Sequence, residues 1–236
     1  MKAIIMAAGK GNRISSISND LPKSFLEING KKIFDHQIDC LRNAGVEEII
    51  VVVGYKADLF IEAYSKSNIT FIVNPFYERC NVLGSLWFAL KHLNEGFYFL
   101  HADVYFDKSI FFDLKNDYRD CVLCVEPKNT IEEEMKVRVL NNNIIEINKE
   151  MDCKSAFGEF TGLAKIGPQV SQVISEAIKK RIEKMGSLDS FFETVLQDCV
   201  DQNLITMNYI DIGNRVSIEI DFPEDYKKAL DTKLNI

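Results

Sequence analysis

The chain has 236 residues, of which 47% are apolar and 27% charged, and it carries a formal net charge of −7. That length accommodates one α/β domain with a large core, and the composition excludes a disordered or collagen-like chain. The acidic balance excludes a general affinity for nucleic acid or an anionic membrane, because both partners require a basic surface that releases counterions.

The first predicted strand, Ala3-Ile4-Ile5-Met6, ends in Ala7-Ala8-Gly9 and is followed by Lys10, Gly11 and Arg13, with Pro22-Lys23 beyond a loop. Small residues let backbone N–H groups come close to a polyanion, and the three cations supply the charge to hold it, so the stretch reads as a triphosphate cradle. A Walker loop is excluded because no Gly-Lys-Ser/Thr follows a glycine at the required spacing. A dinucleotide fingerprint is excluded because its third glycine falls on Ile14.

Downstream, Ile33, Phe34, Ile38 and Leu41 recur at helical spacing up to Ala44-Gly45, and Glu48 to Val53 reads as a central strand apolar on both faces. A helix from about Lys56 to Ser65, a strand over Thr70 to Val73, a helix from about Leu83 to Leu93 and a strand over Phe97 to Leu100 continue the alternation. The order implies a doubly wound, mostly parallel, Rossmann-like sheet with ligand sites at the carboxyl ends of its strands. Asp103 falls at that edge, where a helix cap or a turn is its alternative role. Cys121 and Cys124 lie inside a buried-strand run with no second Cys or His pair at ligand spacing, so they are expected to be core thiols.

Glu132 to Val139 and Ile144 to Lys149 read as two strands around an Asn141-Asn142-Asn143 turn, a small lobe at about 127–158 within one domain spanning 1–236. Phe160 to Ile166 reads as a returning strand, and Pro168 opens a helix that stops at Gly186. A further helix is predicted from about Leu188, carrying Phe191 and Phe192. Strands over Ile205 to Ile210 and Val216 to Ile220 follow, the second ending on Asp221 before a helix opened by Pro223 and capped by Asp225. No apolar run reaches a membrane span and the N-terminus has no signal-peptide pattern, so a cytoplasmic protein is expected.

A bound nucleoside triphosphate needs a divalent metal to offset about four negative charges, with hard oxygen ligands to hold it. Asp103 and Asp221, the acidic residues that directly follow predicted strands, are the expected metal pair. The expected step is in-line attack by an acceptor phosphoryl oxygen on the α-phosphorus. That attacker is already ionised, so positioning and charge neutralisation do the catalysis. Lys10 and Arg13 are assigned to the β- and γ-phosphates, Lys23 to the α-phosphate and attacking oxygen, and Lys149 to the acceptor.

The Ala-Ala-Gly-x-Gly-x-Arg loop with its Pro-Lys, Asn74-Pro75-Phe76-Tyr77 with Asn81 and Ser85, Ala102-Asp103, Gly158 to Gly162 and Ile218 to Asp221 together resemble the phosphocholine and phosphonate cytidylyltransferases of the sugar nucleotidyltransferase superfamily. The resemblance implies CTP, Mg²⁺ and a small phosphorylated alcohol or phosphonate as acceptor. It also implies that Ala7, Ala8, Gly9 and Gly11 face the nucleotide and that Asn81 and Ser85 sit near the cytosine. The tryptophan that phosphocholine enzymes carry before the hairpin is replaced by Glu134-Met135-Lys136-Val137, which is similar to the phosphonate-activating branch. An aminoethyl- or hydroxyethylphosphonate is therefore the expected acceptor, held by Lys23 and Lys149 with Glu159 attracting an amine, while Phe191, Phe192 or Trp87 lining the pocket in the tryptophan's place would keep choline open. Phosphocholine or a sugar 1-phosphate is the alternative, and a non-catalytic nucleotide-binding module is the reading from another class.

Overall fold

The computed structural model describes residues 1–234. Its strands are β1 (Lys2–Ala7), β2 (Glu27–Ile28), β3 (Lys31–Lys32), β4 (Ile49–Val53), β5 (Ile69–Val73), β6 (Phe97–His101), β7 (Val104–Phe106), β8 (Cys121–Pro127), β9 (Lys136–Leu140), β10 (Asn143–Asn148), β11 (Gly158–Ile166), β12 (Met207–Asp211) and β13 (Ser217–Glu219). The helices are α1 (Ser15–Ser18), α2 (Ile33–Asn43), α3 (Ala57–Ala63), α4 (Val82–Phe88), α5 (Lys108–Asn116), α6 (Pro168–Met185), α7 (Phe192–Asp201) and α8 (Pro223–Asp231).

Nine strands form one sheet in the order β5-β4-β1-β6-β11-β8-β12-β10-β9. The first four are parallel, β11 runs against β6 and β8, and β12 is parallel to β8. Period-two alternation divides the apolar residues of β1 between two cores. Ile4 and Met6 join the side covered by α4, α6 and α7, whereas Ala3, Ile5 and Ala7 join the side covered by α2, α3 and α5. The fold is therefore an α/β, doubly wound Rossmann-like sheet with a small β lobe.

The predicted hairpin exists, with Asn141 and Asn142 both at positive φ, the backbone that a two-residue turn between twisted strands requires. Its strands are hydrogen-bonded into the far end of the sheet, β10 to β12 and β9 to β11. The helix predicted from Leu188 starts only at Phe192. The preceding residues are spent elsewhere, because Leu188 and Ser190 carbonyls accept hydrogen bonds from the Asn81 and Leu83 amides at the start of α4. The helix predicted to run on to Leu93 ends as α-helix at Phe88 and continues as a 3₁₀ turn over Leu90–His92. Cys121 and Cys124 are buried strand thiols, and burial raises the pKa of both.

The strand predicted over Val216 to Ile220 does not enter the main sheet. It forms β13, which pairs antiparallel with the unpredicted β7, opposing Glu219 to Val104 and Ile218 to Tyr105. A third core of Ile14, Leu26, Ile28, Tyr105, Ile218 and Ile220 packs the segment after β1 against this ribbon. Among the described residues no helix is long and apolar enough to cross a membrane.

Candidate active site

The carboxyl ends of β1 and β6, the β7/β13 ribbon and the hairpin lobe enclose a cavity of about 440 Å³. Gly9, Lys23, Asn81, Asp103, Lys149, Glu159, Phe191 and Asp221 all line it. The ribbon is what joins the two aspartates, since the Ile220 amide donates to the Asp103 carbonyl at 3.0 Å. Asp103 is not the cap of the helix after it; Asp107 holds that role, accepting from the Ser109 amide at 3.0 Å. Asp225 accepts from the amides of Asp221 and Phe222 and so opens α8, as expected.

Lys23 lies between the two aspartates, with its Nζ 3.2 Å from Asp103 Oδ2 and hydrogen-bonded to Asp221 Oδ1. Burial by itself lowers the pKa of this ammonium, but the carboxylates of Asp103 and Asp221 outweigh it and hold it above the ordinary lysine value. Burial raises the Asp103 carboxyl above its usual range, against the pull of Lys23. Arg13 reaches across the cleft, 3.1 Å from Glu133 Oε2 and 3.5 Å from Asp221 Oδ2, with its guanidinium over the Phe222 ring.

Lys10 is exposed, its ammonium 5.9 Å from the centre of the Tyr55 ring. Ala7 and Gly11 line a smaller cavity beside the loop, and Ala8 is buried with its carbonyl bound by the Tyr55 amide. Asn81 Oδ1 caps α4 by accepting from the Val82 amide at 2.8 Å, and the residue lines the main cavity. Ser85 is buried beside it, its hydroxyl accepting from Asn74 Nδ2 at 2.9 Å. The aromatic residues divide. Phe191 lines the cavity under the Lys149 ammonium, which lies 4.9 Å from its centroid. Phe192 is fully buried and stacks on Phe99, and Trp87 packs against the core.

His101, Glu219 and Glu193 also line the cavity, without a role expected from the sequence. His101 and Glu219 are the last residues of β6 and β13, each two residues before Asp103 or Asp221, so both strand ends carry a second polar residue, a signal present in the sequence. His101 Nδ1 lies 3.3 Å from Glu219 Oε1, and a Cβ at Gly162, where φ is +78°, would stand 3.0 Å from that nitrogen, so the ring is packed tightly on a backbone that favours glycine. Burial opposes the imidazolium, but the hydrogen bond to Glu219 prevails and takes His101 up to about 9. Burial likewise opposes the Glu219 carboxylate, yet His101 and Lys23 hold it at about 2, so the two form a charged pair. Ligand atoms of His101, Asp103 and Glu219 lie within 4.8 Å of one another. That group contains the expected Asp103 but not Asp221, whose oxygens contact Lys23 and Arg13 instead, and the carboxylates of Asp103 and Glu219 are the hard donors in it.

On the lobe side, Lys128 is shared by Glu159 at 2.6 Å, Glu134 at 2.9 Å and Glu126 at 3.2 Å. Burial pushes Glu159 up to about 7, because one shared ammonium does not offset the loss of water. The native carboxyl then keeps a proton that the unfolded chain releases near its ordinary value, so this contribution to stability is complete below about pH 4.5 and is lost as pH rises through about 7. Glu159→Gln is expected to remove that component. Thermal midpoints recorded from pH 4.5 to 7.5 should show wild type declining relative to the variant, and parallel profiles would contradict the assignment.

Lys136, part of the Glu-x-Met-Lys-Val segment, does not face the cavity. It is 1% exposed, and its ammonium donates to the carbonyls of Ile131, Glu132 and Glu134 at 2.9–3.2 Å. It thereby fixes the loop that carries Glu133 and Glu134 to the cavity wall. Lys136→Met leaves those carbonyls without their donor and is expected to cost about 2–4 kcal/mol, measurable by denaturant unfolding.

Residues 3–140 match the model of the MobA-like NTP transferase domain. The chain is 29% identical to the CTP:phosphoglutamine cytidylyltransferase of Campylobacter jejuni over 74% of this chain and 77% of that protein. It is 26% identical to the choline-phosphate cytidylyltransferase of Streptococcus pneumoniae over 97% of this chain and 96% of that one. The solved structure of the CTP:phosphocholine cytidylyltransferase from Streptococcus pneumoniae superposes with a TM-score of 0.86, at 23% identity, covering 97% of each chain. That superposition shows a shared fold.

Proposed function

The chain belongs to the MobA-like NTP transferase family and is a nucleotidyltransferase, and from this we propose that it transfers CMP from CTP to the phosphate of a small phosphorylated alcohol. The observation that carries the reading is Lys23 between Asp103 and Asp221, at the floor of a cavity with the glycine loop on one side and the hairpin lobe on the other. A phosphoryl oxygen of the acceptor attacks the α-phosphorus in line, the new P–O bond forms, and the bond to the β-phosphate oxygen breaks to release pyrophosphate. The attacking oxygen is already anionic, so no general base is required.

Lys23 holds the α-phosphate and attacking oxygen, and Arg13 holds the departing pyrophosphate, with Lys10 at the outer end of the loop. Asp103 and Asp221, with Glu219 beside them, would hold Mg²⁺, which when bound neutralises triphosphate charge. Gly9 and Gly11 let the loop backbone approach the phosphates, Ala7 and Ala8 pack on the nucleoside, and Asn81 and Ser85 lie toward the base. Lys149, Phe191 and Glu159 form the acceptor side.

A phosphomonoester acceptor is favoured over a phosphonate by two observations. Similarity to the choline-phosphate enzyme continues along 97% of the chain, through the whole acceptor side. In the segment that resembles the phosphonate-activating branch, Met135 lines the cavity but Lys136 is withdrawn from it. The phosphonate remains the second reading because, of the three phenylalanines at the wall, Phe191 and Phe222 are covered by this chain's own cations, Lys149 and Arg13, and Phe160 is buried. That arrangement leaves a quaternary ammonium no open ring. Pyrophosphate release with Mg²⁺ and CTP tests the proposal, with UTP as the control nucleotide and phosphocholine, phosphoethanolamine, 2-aminoethylphosphonate and glucose 1-phosphate as acceptors. A phosphomonoester with CTP is expected to turn over fastest, and equal rates with UTP would defeat the base assignment.

A further inference from the structure

Resting on that reading, we propose that the Lys23 ammonium is the resident cation of the metal position in the free protein. It leaves Asp103 and Asp221 for the nucleotide phosphates when metal and triphosphate enter, so the two ligands bind as a coupled pair.

The carboxylates expected to hold the metal are already engaged by an ammonium bonded to both of them. A divalent ion cannot take those oxygens while a positive charge stays in hydrogen-bond contact with them, since like charges a few ångströms apart in a partly buried site repel strongly. The Lys23 side chain is only 14% exposed, so it cannot simply retreat into water. It needs another anion.

The structure provides a short route to one. Lys23 is a wall residue of both cavities, the main one and the smaller one lined by Ala7, Gly9, Gly11 and Ser24 beside the nucleotide loop. Its stem lies against Gly11, where φ is +66° and a Cβ would stand 2.6 Å from Lys23 Cγ. Its backbone is anchored by a 3₁₀ turn with Phe25 and Leu26 buried behind it, so side-chain rotation alone can carry the ammonium from the carboxylates to phosphates seated on the loop.

Metal alone must then evict Lys23 with nothing to receive it, whereas metal with triphosphate supplies the receiving anion. Linkage makes the effect reciprocal, so each ligand tightens the other by the same factor. Lys23 thereby prevents the free protein from holding a metal ion without its nucleotide.

The probe is Mn²⁺, followed by the electron paramagnetic resonance signal of the free ion, with and without α,β-methylene-CTP, each titration read against the same one without protein because the triphosphate itself chelates Mn²⁺. Wild type is expected to bind Mn²⁺ weakly alone and at least about tenfold more tightly with the analogue. Lys23→Met is expected to bind Mn²⁺ alone at least about tenfold more tightly than wild type and to gain less from the analogue. Lys23→Gln, which keeps a neutral donor for the carboxylates, serves as the second variant if the methionine protein does not fold. Unchanged Mn²⁺ affinity in folded Lys23 variants, with their Mn²⁺ site still abolished by Asp103→Asn, would overturn the exchange alone. Mn²⁺ affinity indifferent to Asp103→Asn in the same background would overturn the metal position itself.

Discussion

Alanine at Asp103 or at Asp221 is expected to lower CMP transfer by at least about 10³-fold, and the double variant to be little worse than either single one, because the two carboxylates act as a unit. The ribbon of β7 and β13 brings them to one point, and Lys23 is bonded to both. The fold should survive. Burial already raises the Asp103 carboxyl against the pull of Lys23, so its removal relieves a desolvated charge even as it takes one partner from the ammonium. Steady-state pyrophosphate release at saturating Mg²⁺, with far-UV circular dichroism as the check on folding, decides the matter. Near-normal turnover in either folded variant would remove that residue from the metal pair.

The second large effect is at Lys23. Lys23→Ala is expected to reduce kcat by about 10²-fold or more, since a cation aimed at charge that develops on the α-phosphate and its attacking oxygen acts mainly in the transition state. Arginine is not expected to rescue it. The close contact of the Lys23 stem with Gly11 leaves the planar guanidinium no equivalent path between Asp103 and Asp221. An effect confined to KM would reassign Lys23 to uniform binding.

The electrostatics of the cavity explain how an acidic protein accommodates a polyanionic substrate. Three of its cations are held by carboxylates, Lys23 by two aspartates, Arg13 by Glu133 and Asp221, and Lys128 by three glutamates, whereas Lys149 lies over the Phe191 ring. Phosphate groups would exchange with those carboxylates as partners of Lys23 and Arg13. The net charge of −7 is therefore compatible with a focused anion site.

Much of this arrangement is legible in the linear chain because it rests on local rules. The β1 loop, the asparagine turn, the Pro168 start and Gly186 stop of α6 and the Asp225 cap of α8 all depend on residues within a few positions of one another, where φ preference and hydrogen-bond geometry act directly. The positions of Asp103 and Asp221 after strands are legible for the same reason. Their meeting is not local. It depends on β13 leaving the main sheet to pair with β7, a choice between two sheet edges that hydrophobic alternation cannot distinguish.

Tertiary structure alone decided which charged residues share the site. His101 and Glu219 are 118 positions apart and become a charged pair only when the ribbon closes, and Glu193 becomes a buried carboxylate only when α7 starts at Phe192. The same holds for Lys136, part of the segment that resembles the phosphonate-activating branch, which in the fold binds three carbonyls of its own loop. Sequence by itself determined the types of most elements and which residues stand at the strand ends, because those follow from neighbouring residues. The partners of each charge were decided by packing, because desolvation and Coulomb attraction depend on distances that exist only once the chain is folded.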